Sequence, residues 1–134
     1  MVEERSQYKV KTDKFEGYLM APDILYLHYF YNQEIGVAEI QLGFELHEKH
    51  ELDENIKRLV HCEKFVSITR AARELVQNHG KPAKAEAYVI PFLSQKILFN
   101  LHIKLRKRKH PIKAFDQLDE ALHWLNTFSD ASNN

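Results

Sequence analysis

Cysteine is almost absent: Cys62 stands alone in 134 residues, so no disulfide forms within the chain and the fold has to be held by its core. That usage fits a reducing, cytoplasmic compartment. Glycine is scarce too, four residues isolated at 17, 36, 43 and 80, which excludes the glycine-rich loop that cradles phosphates in nucleotide-binding proteins. No apolar run approaches the roughly 20 residues that cross a bilayer, and the opening MVEERSQ is acidic and polar where a secretory signal is basic, then apolar. Net charge is missing as well, because 19 Lys and Arg balance 19 Asp and Glu. No global field therefore draws the chain to nucleic acid or to a membrane, and an electrostatic partner has to be recruited by a local patch. The expectation is a soluble cytoplasmic protein with a single domain over residues 8–128, flanked by polar, flexible ends at 1–7 and 129–134.

The chain does have a strong rhythm. From Asn55 to Leu125 a short apolar run, a polar break and an amphipathic helical stretch occur three times in succession. The runs are Ile56–Cys62, Ala85–Ile90 and Ile112–Phe115, and the helical stretches begin near Thr69, Ser94 and Asp116. Strands so arranged are parallel and joined by helical crossovers. Upstream, Phe15–Met20 and Ile24–Phe30 flank Ala21-Pro22-Asp23 and read as an antiparallel hairpin. In the second of these runs Ile24, Tyr26, His28 and Phe30 share one face and Leu25, Leu27 and Tyr29 the other, the pattern of a central strand covered on both sides.

The stretch from Glu34 to His50 fits two periods: Ile40, Leu42, Phe44 and Leu46 alternate as in a strand, whereas Ile35, Ala38, Leu42 and Leu46 follow helical spacing. Helix is preferred, because the stretch is too long for one strand. Thr69 caps a helix carrying Ala72, Leu75 and Val76 that stops at Gly80 before Pro82. Leu118, Ala121, Leu122 and Leu125 form the buried stripe of a last helix behind an Asp116 cap. The order is β-β-α-β-α-β-α-β-α, an α/β fold whose mixed, mostly parallel sheet carries an antiparallel N-terminal hairpin.

Two segments carry a family resemblance. VSITRAARELV at the third strand and the following turn, and KHPIKAFDQLDEALHWL at the end, are similar to the STAS domain class and specifically to the small bacterial STAS-like or SpoIIAA-like proteins, over about Lys14 to Leu125. The resemblance implies a regulatory or interaction role through protein partners or small ligands, and no enzyme. The chain also departs from it. STAS anti-sigma-factor antagonists carry an Asp-Ser-Ser-Gly type segment at this helix start, where a serine is phosphorylated, and here the residues are Ile68-Thr69-Arg70-Ala71-Ala72. Ser67 and Thr69 supply nearby hydroxyls, and a helix start with Arg70 and Arg73 offers an anion- or partner-binding turn. The preferred reading of the same residues is a cap followed by solvated arginines, because capping is what such residues usually do.

On a helix over 94–110, Ile97, Leu98, Leu101 and Leu105 fall in one quadrant, while Phe99 and Ile103 pair on the opposite side with Lys96, Arg106 and Lys107 around them. An outward apolar patch with a basic rim suits a protein partner, a second copy of the chain in a homodimer, an acidic partner or an anionic lipid surface. Its alternative is burial beneath Tyr8–Thr12. The basic run Lys104–His110 has no interleaved aromatic, which disfavours nucleic acid. His47 and His50 stand three apart rather than four, so with Glu51 or His61 they make no zinc-protease motif. Cys62 reads as a core residue facing away from its neighbour His61. No catalytic residue, metal ligand or cofactor site is assigned. The function expected is a non-enzymatic regulatory or interaction domain working by protein docking or homodimerisation. The alternatives are a carrier of a small apolar ligand or lipid, held in a crevice between helix and sheet, and a phosphoswitch-type antagonist. Phe99→Glu should weaken self-association without unfolding the domain, as read by light scattering over a concentration series. A strict monomer at high concentration would contradict the docking face.

Overall fold

The computed structural model describes residues 8–92 and 110–128. Within them the elements are β1 (Lys9–Lys11), β2 (Phe15–Ala21), β3 (Ile24–Tyr29), β4 (Glu34–Ile35), α1 (Val37–Lys49), β5 (Lys57–Cys62), β6 (Ser67–Ile68), α2 (Arg70–His79), β7 (Ala85–Val89), β8 (Ile112–Phe115) and α3 (Leu118–Asn126). Six strands form one sheet in the order β1-β2-β3-β5-β7-β8. The pairs β1–β2 and β2–β3 are antiparallel; β3–β5, β5–β7 and β7–β8 are parallel. Interior position explains the two-sided apolar pattern of β3: Ile24, Leu25, Tyr26 and Leu27 are all buried. The hairpin turns at Pro22 as expected, with a register shift between Leu19 and Ala21. Beside the main sheet, β4 and β6 pair in parallel through Glu34 with Ser67 and Ile35 with Ile68.

The two faces are packed differently. On one, Ile24, Tyr26, Leu59 and Val89 meet α3, and Ala85, Ala87 and Ala121 let the helix lie close to the strands. On the other, Phe15, Leu25, Leu27 and Val60 pack beneath Leu46 of α1, and Ile35, Ile40 and Ala72 join α1 to α2. Helix α1 sits tightly over β2 because Gly17 carries no side chain. A Cβ there would stand 2.6 Å from Leu46 Cδ1 and 2.9 Å from Leu27 Cδ2, closer than packed carbons approach.

Three sequence expectations need adjustment. The segment 34–50 is helical, as preferred, but residues 34 and 35 belong to β4 and the helix begins at Val37, where Glu39 Oε1 accepts the Gly36 N–H at 2.7 Å. Asp116 is not the cap of the last helix: Gln117 occupies that position without a side-chain hydrogen bond, and the negative charge of the first turn comes from Asp119 and Glu120. Residues 9–11 form an edge strand on β2, and Tyr8 packs with the core beneath α1. The expected helix over 94–110, with Lys96, Phe99, Ile103, Arg106 and Lys107, lies outside the described residues, as do the ends at 1–7 and 129–134.

Candidate functional site

Alternation along β5 and β7 sends Arg58, Val60 and Cys62, and with them Glu86 and Tyr88, to the face covered by α1 and α2. Arg58 and Glu86 are register partners across the β5–β7 ladder. Both are almost fully enclosed, at 6% and 3% exposure, so their charges are tolerated only because they are paired and hydrogen-bonded. Arg58 Nε donates to Glu86 Oε2 at 2.9 Å, Nη1 to His47 Nε2 at 3.1 Å and Nη2 to the Lys81 carbonyl at 2.7 Å. Glu86 Oε1 is 2.6 Å from His110 Nε2, and Oε2 accepts the Tyr88 hydroxyl at 3.3 Å.

Protonation states follow from these contacts. Burial pushes the Glu86 carboxyl up, but the Arg58 charge and the hydrogen bonds from His110 and Arg58 outweigh it and hold the group well below the usual carboxylate range. Burial, reinforced by the charges of Arg58 and Lys81, pushes His47 down to about 3. His47 is therefore neutral, with its proton on Nδ1 and Nε2 accepting from the guanidinium. Burial drives the Cys62 thiol up to about 12, which leaves it protonated and without nucleophilic character. Burial likewise raises Tyr29, whose phenol stays protonated.

This network floors a cavity of about 650 Å³ between the sheet and the two helices. Its walls are mainly apolar, with Ile40, Phe44, Val60, Ile68 and Val76 among them. Small-molecule sites span roughly 300–1,000 Å³ and combine apolar walls with a few polar groups, and this cavity has both properties. Gly43 of α1 is part of the wall: it is buried, yet a Cβ built on it would meet nothing within 4 Å. The Tyr29 hydroxyl has no hydrogen-bond partner among the described residues. Such a chamber can hold a small molecule; among its described lining residues it offers no activated nucleophile.

The turn singled out from the sequence is split by the structure. Ser67 and Arg73 reach the cavity lining, and Arg73 Nη1 donates to the Ile68 carbonyl at 3.3 Å. Thr69 is the cap of α2, its hydroxyl accepting the Ala72 N–H at 3.1 Å, and exposed Arg70 pairs with Glu74 at 3.2 Å. His47 and His50 serve different partners, since His50 Nε2 contacts the Tyr8 carbonyl at 3.0 Å. Among the described residues no group of three His, Cys, Asp or Glu is placed to hold a metal. Sequence reasoning missed Arg58 and Glu86. Their signal was available: each is a charge inside a strand whose two faces are both buried, a position that ionised side chains occupy only when paired.

The opposite face carries a separate polar group. His28 lies between Glu16 at 3.2 Å and Glu63 at 2.6 Å, stacks on His61 with 4.6 Å between ring centroids, and His61 Nδ1 is 2.8 Å from the Tyr26 hydroxyl. Its contacts are satisfied within the sheet surface.

Comparison of folds identifies the architecture. The chain is similar to the crystal structure of an uncharacterized protein of the DUF3478 family with a SpoIIAA-like fold, from Shewanella loihica PV-4, with a TM-score of 0.57 and 15% sequence identity over 88% of this chain and 90% of that one. The domain is thus a SpoIIAA-like α/β fold, as its sequence resemblance implied. Residues 18–129 match the model of a domain of unknown function, DUF7793, and the chain belongs to that family. No curated protein matches it. No helix among the described residues is long and apolar enough to cross a membrane.

Acid should destabilise the domain through the cavity floor. An unfolded His47 takes up a proton near pH 6.5, whereas in the fold it does so only near 3. Between those values the unfolded state holds the extra proton, so stability falls as pH falls; the depressed Glu86 adds a loss of the same sign at the acid end. His47→Asn should flatten the dependence between pH 6.5 and 4 by up to about 1.4 kcal/mol per pH unit. Urea unfolding of both proteins across that range checks it, and parallel curves would contradict it.

Proposed function

We propose that this chain is a non-enzymatic binding domain of the cytoplasm, in which the cavity beneath α1 and α2 holds a small, mostly apolar molecule and its occupancy regulates contacts with other proteins. The observation that carries this reading is the chamber of about 650 Å³ with apolar walls and a polar floor. Gly43 supports it. Glycine inside a helix costs roughly 0.5–1 kcal/mol relative to alanine, and at this position the missing side chain leaves the chamber open.

Association is the second reading. Tyr31 and Phe65, each 55% exposed and in edge contact at 5.8 Å between ring centroids, form an apolar step at the carboxyl ends of β3 and β5, and exposed aromatics of this kind anchor protein interfaces. Docking or homodimerisation through Phe99 and Ile103, rimmed by Lys96, Arg106 and Lys107, rests on the sequence pattern. At Thr69 the hydroxyl accepts the Ala72 N–H as the cap of α2, which supports a structural role there over the phosphoswitch reading.

The neutral probe N-phenyl-1-naphthylamine tests the chamber. The wild-type chain should bind it saturably at one molecule per chain with increased fluorescence, and Gly43→Phe, which fills the open space, should abolish binding while retaining a cooperative unfolding transition. No saturable binding by the wild type, or undiminished binding by Gly43→Phe, would refute the proposal.

A further inference from the structure

We infer that the molecule held in this cavity is an anionic amphiphile, a single carboxylate on an apolar body, with its head group seated against Arg58 and the hydroxyl of Tyr29. The inference rests on the preceding reading that the cavity binds a ligand, and it adds the ligand's chemical class. Among the described lining residues Arg58, Arg73 and Lys81 are cationic and Glu86 alone is a carboxylate. Arg58 and Glu86 offset one another, and exposed Arg73 and half-buried Lys81 add positive charge to the lining in a chain whose overall charge is zero. Glu86 is already engaged by Arg58, His110 and Tyr88, three of its roughly four acceptor sites.

Arg58 is different. A guanidinium has five N–H groups, and its contacts with Glu86, His47 and the Lys81 carbonyl use one on each nitrogen. Among the described residues one N–H on Nη1 and one on Nη2 remain, on a residue 6% exposed that lines an apolar chamber. Buried donors of a charged group are costly to leave unpaired, and a planar carboxylate matches the fork of a guanidinium. Tyr29 adds a hydroxyl with no partner among the described residues, near enough to Arg58 for the two groups to interact electrostatically. A cationic head would be repelled by the same three cations. At the floor Arg58 leaves two N–H groups and Tyr29 one O–H among the described residues, and a single carboxylate matches those donors beneath walls that accept an aliphatic or aromatic body.

Three probes with the same 12-carbon chain separate head group from tail: dodecanoate, dodecanol and dodecyltrimethylammonium, each titrated below its micelle concentration into the full chain loaded with N-phenyl-1-naphthylamine. Dodecanoate should displace the fluorophore at least ten-fold more tightly than dodecanol, and the ammonium compound should not displace it. Tyr29→Phe should weaken dodecanoate several-fold and leave dodecanol unchanged, because the hydroxyl it removes makes no hydrogen bond among the described residues. Equal displacement by dodecanoate and dodecanol, preference for the ammonium compound, displacement by none of the three, or a Tyr29→Phe protein with unaltered selectivity would overturn the carboxylate assignment while leaving the cavity reading standing. Failure of N-phenyl-1-naphthylamine itself to bind would remove both.

Discussion

The ion pair between Arg58 and Glu86 is the constraint on which the arrangement of this domain depends. Removing two charges from water costs several kcal/mol for each, and attraction between them compensates only when the remaining donors and acceptors also find partners. Here those partners come from separate parts of the chain: His47 from α1, the Lys81 carbonyl from the segment after α2, His110 from the approach to β8, and Tyr88 from the same strand as Glu86. Satisfying one cross-strand pair thus fixes the position of a helix and two connections relative to the middle of the sheet. It also obliges His47 to remain neutral, which explains why that histidine lies buried without a counter-charge of its own.

The pair also accounts for the asymmetry of the two faces. Against α3 the strands present Ala85 and Ala87, and the helix answers with Ala121, so small side chains let the layers lie close. Against α1 and α2 they present Arg58, Glu86, Tyr29 and Tyr88, long side chains with polar ends that cannot be packed over like alkanes. Helix α1 descends onto the sheet where Gly17 admits Leu46, and toward its middle, at Gly43, it borders open space. The chamber is what remains between a helix anchored at β2 and a charged floor at β5 and β7. Its location, on the helical side of a parallel sheet with Ser67 and Arg73 at the start of the second crossover, is one where open α/β sheets place ligands.

Most of this architecture was legible in the sequence because it rests on long, periodic segments. The hairpin around Pro22, the central strand from Ile24, the helix capped by Thr69 and the final stripe of Leu118, Ala121, Leu122 and Leu125 each carry several agreeing signals. What escaped was short or two-sided. Lys9–Lys11, Glu34–Ile35 and Ser67–Ile68 are strands of two or three residues whose pairing is set by tertiary contacts rather than by pattern. Arg58 and Glu86 escaped for another reason: a charge within Ile56–Cys62 or Ala85–Ile90 looks like a solvated position unless the burial of both faces of these strands is taken into account. Of the turn residues singled out from the sequence, Ser67 and Arg73 line the cavity, whereas Thr69 caps α2 and Arg70 pairs with Glu74.

A double-mutant cycle at the two charged positions tests the organising role of the pair most directly. Stability is measured by urea unfolding for the wild type, Arg58→Met, Glu86→Leu and the double variant. If the pair is the organising interaction, each single change leaves a buried charge stranded and costs about 3–5 kcal/mol, and the double variant is much less destabilised than the sum of the two. Additive losses would show that the two side chains act independently, and that the sheet, the helices and the cavity floor owe their arrangement to other contacts.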